Sequence, residues 1–301
     1  MYGASAKPYS WITEVFEMAY QHIEVKPIAG ALGAEIGGVD LSLTLDDNVF
    51  DEVREALRKN LVIFFRDQEL TPKQHKDFGR RFGTLNIHPQ YVPLDRHPEI
   101  LPVLKEPKDT LNIGDVWHTD VSFLEQPSLG SILYALDVPA VGGDTMFANQ
   151  YLAYETLSEG MRDMLDDMTA VHSDRVLSNP ASAKNRNEGR STVIREDAMT
   201  EKEICHEHPV VRTHVETGRK CLYVNSPFTV RFSGMTEEES QPLLTFLYSH
   251  ATRPEITCRF KWEPKSIAFW DNRCTQHYAL NDYQGQRRAM HRVTVNGERP
   301  V

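Results

Sequence analysis

Within the seven residues Trp117 to Phe123, WHTDVSF, an imidazole and a carboxylate stand two positions apart among aromatic and β-branched neighbours. Trp, Thr, Val and Phe favour extended backbone, and on a strand the side chains at i and i+2 leave the same face. The pattern therefore predicts His118 and Asp120 side by side. Read alone, it also describes the solvated polar face of a half-buried strand. As chemistry it describes two ligands of a metal, and such a site needs a third ligand from elsewhere.

Of the twelve histidines, His277 is the best placed to be that ligand. In AFWDNRCTQHYALNDY it follows an apolar strand, Ile267 to Trp270, and a polar turn. A ligating imidazole on such a rim finds a partner for its second nitrogen. The alternative cluster CHEH, Cys205 to His208, puts two histidines on one strand face but lacks a nearby aromatic wall. Two imidazoles and a carboxylate on one face of a metal leave positions open, which suits non-haem Fe(II) holding a co-substrate together with O₂. A closed, cysteine-rich structural zinc site looks different. In QRRAMHRVTV, a strand would place Arg288, Met290, Arg292 and Thr294 on one face. Two fixed cations on one wall repel unless anions meet them, and arginine suits bidentate carboxylate or sulfonate contacts. Alone, that face reads as an exposed basic strand. Beside a metal site it offers an anchor for the far carboxylate of a keto-diacid whose near end chelates iron.

The elements that must position these residues are mostly strands. The apolar runs LVIFFR (Leu61 to Arg66), SLGSILYALDVP, ITCRFKW, SIAFWDN and RAMHRVTV read as strands, and PVVRTHVETGRKCLYVN as a hairpin around Thr217-Gly218. Val49, Phe50, Val53, Ala56 and Leu57 form one helical stripe with Asp46 or Thr44 as cap. Thr71 with Pro72 begins a second helix, NQYLAYETLSEGMRDMLDDM reads as a third, and Thr236 with Glu239 forms a capping box for a fourth. The stretch Ser178 to Glu203 is polar and poor in aromatics, as a mobile insertion or lid over a site would be. Strands that dominate, with helices inserted between them, predict a sandwich or jelly roll with helical decoration.

Composition narrows the function. The chain has 301 residues, 40% hydrophobic and 25% charged, and shows no internal repeat. A single domain over residues 23–301 is expected, preceded by an extension over residues 1–22. The net charge of −10, with no basic stripe, argues against nucleic-acid binding. Cys205, Cys221, Cys258 and Cys274 lack C-x-x-C spacing, which fits a reducing compartment. With neither a signal peptide nor an apolar run of membrane-spanning length, a cytoplasmic protein is expected.

The segments WHTDVSF, GGDT (Gly142 to Thr145), WDNRCTQHYALNDY and QRRAMHRVTV, in this order and spacing, resemble the taurine dioxygenase (TauD/TfdA) family of Fe(II)/2-oxoglutarate-dependent dioxygenases. The likeness runs from about Ile23 to the C-terminus. It implies a fold that is mostly β with helical insertions, a double-stranded β-helix (jelly roll). It implies that His118, Asp120 and His277 hold iron, that Thr145 and Arg288 hold the distal carboxylate of 2-oxoglutarate, and that Arg292 lies near both its inner end and the substrate's anionic head. It further implies substrate contacts from His88, Tyr91, Phe228 and the backbone of Val121. The cofactor set is Fe(II), 2-oxoglutarate and O₂. The partner is a small anionic substrate, and the assembly a homo-oligomer, dimer or tetramer.

The expected reaction is hydroxylation of an organosulfonate next to sulfur, releasing sulfite and an aldehyde. Its alternative is the same chemistry on an alkyl sulfate ester or an aryloxyalkanoate ether. Two positions depart from taurine-cleaving members. Gly114 stands where they carry an amine-binding Asn, and Ser178 falls nearest a pocket Phe. A roomier, less amine-specific pocket is expected. Two other classes use the same residues less well. A zinc hydrolase with these ligands leaves the arginines and GGDT without a job, and a non-catalytic binder leaves the ligand set without one.

Overall fold

The computed structural model describes residues 20–199 and 202–301; most of the expected N-terminal extension lies outside the described residues. Fifteen strands follow in chain order among these: β1 Glu24–Pro27, β2 Ala34–Gly37, β3 Val62–Phe65, β4 Ile100–Lys105, β5 Ser128–Asp137, β6 Thr145–Asn149, β7 Thr169–Ser173, β8 Cys205–Pro209, β9 Val211–Thr213, β10 Lys220–Leu222, β11 Thr229–Phe232, β12 Thr257–Phe260, β13 Ile267–Asp271, β14 Thr275–Ala279 and β15 Arg288–Asn296. The helices are α1 Asp47–Asn60, α2 Pro72–Arg80, α3 Gln150–Glu155, α4 Glu159–Leu165, α5 Arg175–Ser178, α6 Pro180–Glu188 and α7 Glu237–Ala251. The protein is mostly β with helices inserted, as the sequence predicts.

Seven strands form one sheet in the order β1-β2-β3-β13-β5-β15-β4, antiparallel except where β2 meets β3. Its central runs are apolar throughout because both faces are covered. Val62, Phe64, Leu133, Ala135, Ala268 and Trp270 point to one side, where Phe147 of β6 and Cys258 and Phe260 of β12 meet them. Ile63, Phe65, Ile132, Tyr134, Ile267 and Phe269 alternate to the other, against Val53, Ala56 and Leu57 of α1 and Phe78 of α2. The small sheet β12-β6-β14 thus faces the large one across a shared core. Met290 of β15 lies in that core, so Arg288 and Arg292, of the same parity, project between the two sheets.

Three expectations change on folding. The predicted third helix is two, α3 and α4, broken around Thr156-Leu157-Ser158 where Asn149 and Ser158 each start a helix. The segment Ser178 to Glu203 holds α6, with Ala183 and Ile194 buried beside Leu177 and Phe228. It is a packed wall rather than a bare loop. WHTDVSF is not a strand: His118 makes an isolated bridge to His277, and Asp120 and Val121 lie in a turn.

The core also stores an acid sensitivity. His75 of α2 is buried, its Nε2–H donating to the Ile132 carbonyl at 3.1 Å while Nδ1 has no partner. Burial pushes its pKa down to about 3. A group bound less tightly to its proton in the native state favours unfolding as pH falls below the unfolded value near 6.5. Stability is therefore fully present above that value and erodes between about pH 6.5 and 3. At pH 5 the expected loss from this residue is about 2 kcal/mol. Urea unfolding of wild type and His75→Met at pH 7 and pH 5 checks it: the variant should lose that part of the pH dependence, whatever its stability at pH 7.

Candidate active site

His118, Asp120 and His277 converge at one end of the space between the sheets. Each offers one ligand atom, and these atoms lie within 4.8 Å of one another. His118 Nε2 and His277 Nε2 are 3.7 and 3.9 Å from Asp120 Oδ1. All three side chains are buried. The register is set by the backbone: the His118 N–H donates to the His277 carbonyl at 3.0 Å, and the His277 N–H returns one to the His118 carbonyl at 2.9 Å.

Each ligand is held differently. His118 gives its Nδ1–H to the Val116 carbonyl at 2.8 Å, so Nε2 keeps its lone pair for the centre. Asp120 Oδ2 accepts from Ser131 Oγ at 3.0 Å, and Oδ1 accepts from Arg292 Nη1 at 2.9 Å. Burial alone would raise the Asp120 carboxyl; Arg292 and the two imidazoles outweigh it and hold the group well below the usual carboxylate range. The expected partner for the second nitrogen of His277 is missing, since Nδ1 is buried without one. Its ring is fixed by packing instead, 4.6 Å from Trp270 and 4.0 Å from His118 between centroids. Nor does His277 sit on a polar rim; it is on β14, paired with Phe147.

The turn that delivers Asp120 is clamped from three sides. Asn272 accepts from the Asp120 N–H at 2.9 Å and donates Nδ2 to the Asp120 carbonyl at 3.0 Å. His206 and His208, the CHEH pair, donate to the carbonyls of Phe123 and Leu124 at 2.9 Å each. Their role is structural. Val121 takes φ +46°, a left-handed conformation that costs a β-branched residue about 1–3 kcal/mol and persists only under such constraint.

Two connected cavities open from this centre. The smaller, about 400 Å³, is lined by Thr145, Arg288, Leu133, Trp270 and Ala279 among others. Thr145 Oγ accepts from Trp262 Nε1 at 2.9 Å, leaving its own proton to donate. Arg288 is 4% exposed, and its Nε and Nη2 have no partner. Burial pulls its pKa below the ordinary value. A buried cation with idle donors beside a free hydroxyl is a receptor for a carboxylate. The larger cavity, about 530 Å³, is lined by His88, Tyr91, Val121, Phe123, Phe228 and Leu177, with Arg186 and Arg190. Ile113, Gly114, His118 and Arg292 line both.

His118, Asp120, His277, Thr145, Arg288, Arg292, His88, Tyr91, Val121 and Phe228 all line these two cavities. Ser178 does not face the pocket; its Oγ donates to Asp174, and Val176 and Leu177 line the cavity instead. Arg186 and Arg190 are pocket residues the sequence reading missed, because their polar segment carries no periodic signal. Gly114, with φ +77°, stands so close that a Cβ would lie 2.8 Å from His118 Cε1.

The family model described as taurine catabolism dioxygenase TauD, TfdA family matches residues 24–294. The chain belongs to that family. An α-ketoglutarate-dependent sulfate ester dioxygenase of Pseudomonas putida is 38% identical, over 93% of this chain and 91% of its own length. An α-ketoglutarate-dependent sulfonate dioxygenase of Saccharomyces cerevisiae is 33% identical, over 93% and 68%. The crystal structure of a taurine dioxygenase from Burkholderia xenovorans superposes with TM-score 0.78 at 38% identity, covering 93% of this chain and 91% of that one. The protein is thus an oxidoreductase, a 2-oxoglutarate-dependent dioxygenase. Among the described residues no helix is long and apolar enough to cross a membrane.

Asn272 gives this dioxygenase a stability test. Its amide serves both backbone groups of Asp120 and Ser128 Oγ. Unsatisfied buried groups cost about 1–3 kcal/mol each. Asn272→Ala should destabilise by roughly 3 kcal/mol or more in urea unfolding, and a loss under 1 kcal/mol would contradict the clamp.

Proposed function

We propose that this protein is an Fe(II)-dependent member of the family that hydroxylates an organosulfonate, taurine-like or bulkier, on the carbon next to sulfur, releasing sulfite and an aldehyde. The observation that carries this reading is a His-Asp-His set and two buried arginines facing connected cavities. We read residues 23–301 as one jelly-roll domain, a reading supported by the two facing sheets and the likeness to the Burkholderia structure.

His118, Asp120 and His277 would hold the iron; two imidazoles and one carboxylate are the donor set for non-haem Fe(II). Iron with 2-oxoglutarate, when bound, supplies the oxidation of the substrate C–H by O₂. Thr145 and Arg288 grip the distal carboxylate of 2-oxoglutarate in the smaller cavity. Arg292, common to both cavities, faces the inner end of 2-oxoglutarate and the substrate's anionic head. His88 accepts from the Gln90 N–H on Nδ1 at 3.2 Å, so its Nε2 carries the proton. Burial, then the nearby Arg292, takes its pKa down to about 3. It is a neutral donor at physiological pH. The Val121 N–H, which donates to no acceptor among the described residues, is a second donor for the same oxyanion. Tyr91 and Phe228 wall the carbon chain and exclude water.

A second reading rests on the Pseudomonas putida relative, a sulfate ester dioxygenase. Hydroxylation of the carbon bearing the ester oxygen then yields an aldehyde and sulfate. The inorganic product separates the two. Purified enzyme with Fe(II), 2-oxoglutarate and O₂ should form succinate in step with sulfite on alkyl and aryl sulfonates. Sulfate from alkyl sulfates with no sulfite from sulfonates would move the assignment to the ester. His118→Ala and Asp120→Ala should abolish iron-dependent turnover with the fold retained by circular dichroism. Arg288→Met should raise the KM for 2-oxoglutarate about 10- to 100-fold, the worth of charge-assisted hydrogen bonds. An unchanged KM would remove Arg288 from the co-substrate site.

A further inference from the structure

The larger cavity has a second cationic locus that a monoanionic substrate leaves unused. Arg190 is 4% exposed and makes one hydrogen bond, from Nη2 to the Tyr91 hydroxyl at 3.2 Å. Its Nε is buried with no partner. Its guanidinium carbon lies 5.4 Å from the centroid of the Tyr91 ring. Arg186, four residues earlier and on α6, lines the same cavity. Among the described residues neither guanidinium has a carboxylate within ion-pair distance. The only acidic residue in the cavity lining is Asp120, which Arg292 already holds.

Desolvating a cation without an anion is costly, so a buried guanidinium with idle donors marks the place of a missing negative group. Arg186 and Arg190 line the larger cavity together with His88 and Val121, and Tyr91 is shared between the two loci, its ring 4.7 Å from the His88 ring and 5.4 Å from the Arg190 guanidinium carbon. The lining also includes the apolar Phe123, Phe228, Val176 and Leu177. The cavity therefore has an anion receptor near the metal ligands, a hydrocarbon wall, and a second anion receptor at the α6 side.

We propose that the preferred substrate of this site is a dianion, a sulfur oxyanion whose carbon chain ends in a carboxylate held by Arg190 with help from Arg186. This rests on the proposed function and names its substrate class. A fork of five N–H donors with one in use suits a planar, bidentate carboxylate. The same cations would repel an ammonium, so an ω-amino chain is disfavoured where a carboxyl chain is drawn in.

The test is kcat/KM for chain-matched series ending in methyl, amine or carboxylate, each prepared as sulfonate and as sulfate ester. The wild-type enzyme should favour the carboxylate member over the methyl member by about tenfold or more, mostly through KM, and over the amine member by a wider margin. Arg190→Met should bring the carboxylate-to-methyl ratio close to one, and Arg190→Lys should restore part of it. A wild-type preference for methyl or amine ends would overturn the inference while leaving the dioxygenase reading intact, and needs no variant to fold. An equal loss on all three ends in Arg190→Met would overturn it too, making Arg190 a support for Tyr91 only. No turnover of any sulfonate or sulfate ester would overturn the proposed function and this inference together.

Discussion

The pair of backbone hydrogen bonds between His118 and His277 is the constraint on which the site depends. From about residue 106 to 127 the chain crosses the mouth between the sheets without a regular element. Its backbone groups must then be paired one at a time. The reciprocal bridge pins this crossing to β14, and the Asn272 clamp pins the next turn to the β13–β14 corner. His206 and His208 do the same from β8. Three separate sheets thus hold one irregular segment. That is how a turn, rather than a strand, can present a carboxylate with fixed aim.

Charge follows from this placement. Burying Asp120 is tolerable because Arg292 and two imidazoles surround it. Arg288 is met less fully: Asp144 and Tyr283 favour its charge, but its Nε and Nη2 are buried without a partner among the described residues, and under the proposed function the carboxylate of the co-substrate meets them. The two arginines share parity on β15, yet one is spent on a protein carboxylate and the other is not. Strand geometry therefore sets a cation spent on Asp120 beside a cation whose Nε and Nη2 stay without a partner among the described residues.

Much of this was legible in the sequence because it depends on short-range rules. Period-two alternation fixes that Arg288 and Arg292 face together, and continuous apolar runs such as Val62 to Phe65 announce strands covered on both faces. Thr71 and Thr236 start helices through capping boxes that a four-residue window reveals. What failed is what depends on distant partners. WHTDVSF has strand composition, but the tertiary bridge and the clamp override propensity and turn the chain at Val121. The helix predicted over Asn149 to Met168 breaks at Thr156, whose hydroxyl turns back to the Leu152 carbonyl. Arg186 and Arg190 lie in a stretch whose polar composition reads as solvent-facing, and only the packing of Ala183 and Ile194 reveals that it forms a wall.

The division of labour between sheet and wall has a consequence for how such a site changes its substrate. His118, Asp120, His277, Thr145, Arg288 and Arg292 come from the clamped turn, β14, β6 and β15, where any shift disturbs a packed core. The far wall of the larger cavity comes from α5, α6 and the residues that follow, tied to the rest by Gln90 donating to Asp174, by Thr110 and Leu111 donating to the Gly189 carbonyl, by Thr192 against β4 and by the Ser191 N–H donating to Asp109. Replacing a residue there alters the lining of the larger cavity without replacing His118, Asp120 or His277. Gly114 marks the opposite limit, since a side chain at that point would push on His118 itself. Under the proposed function, the tail of the substrate is therefore read by a wall built apart from the strands that carry the His-Asp-His set.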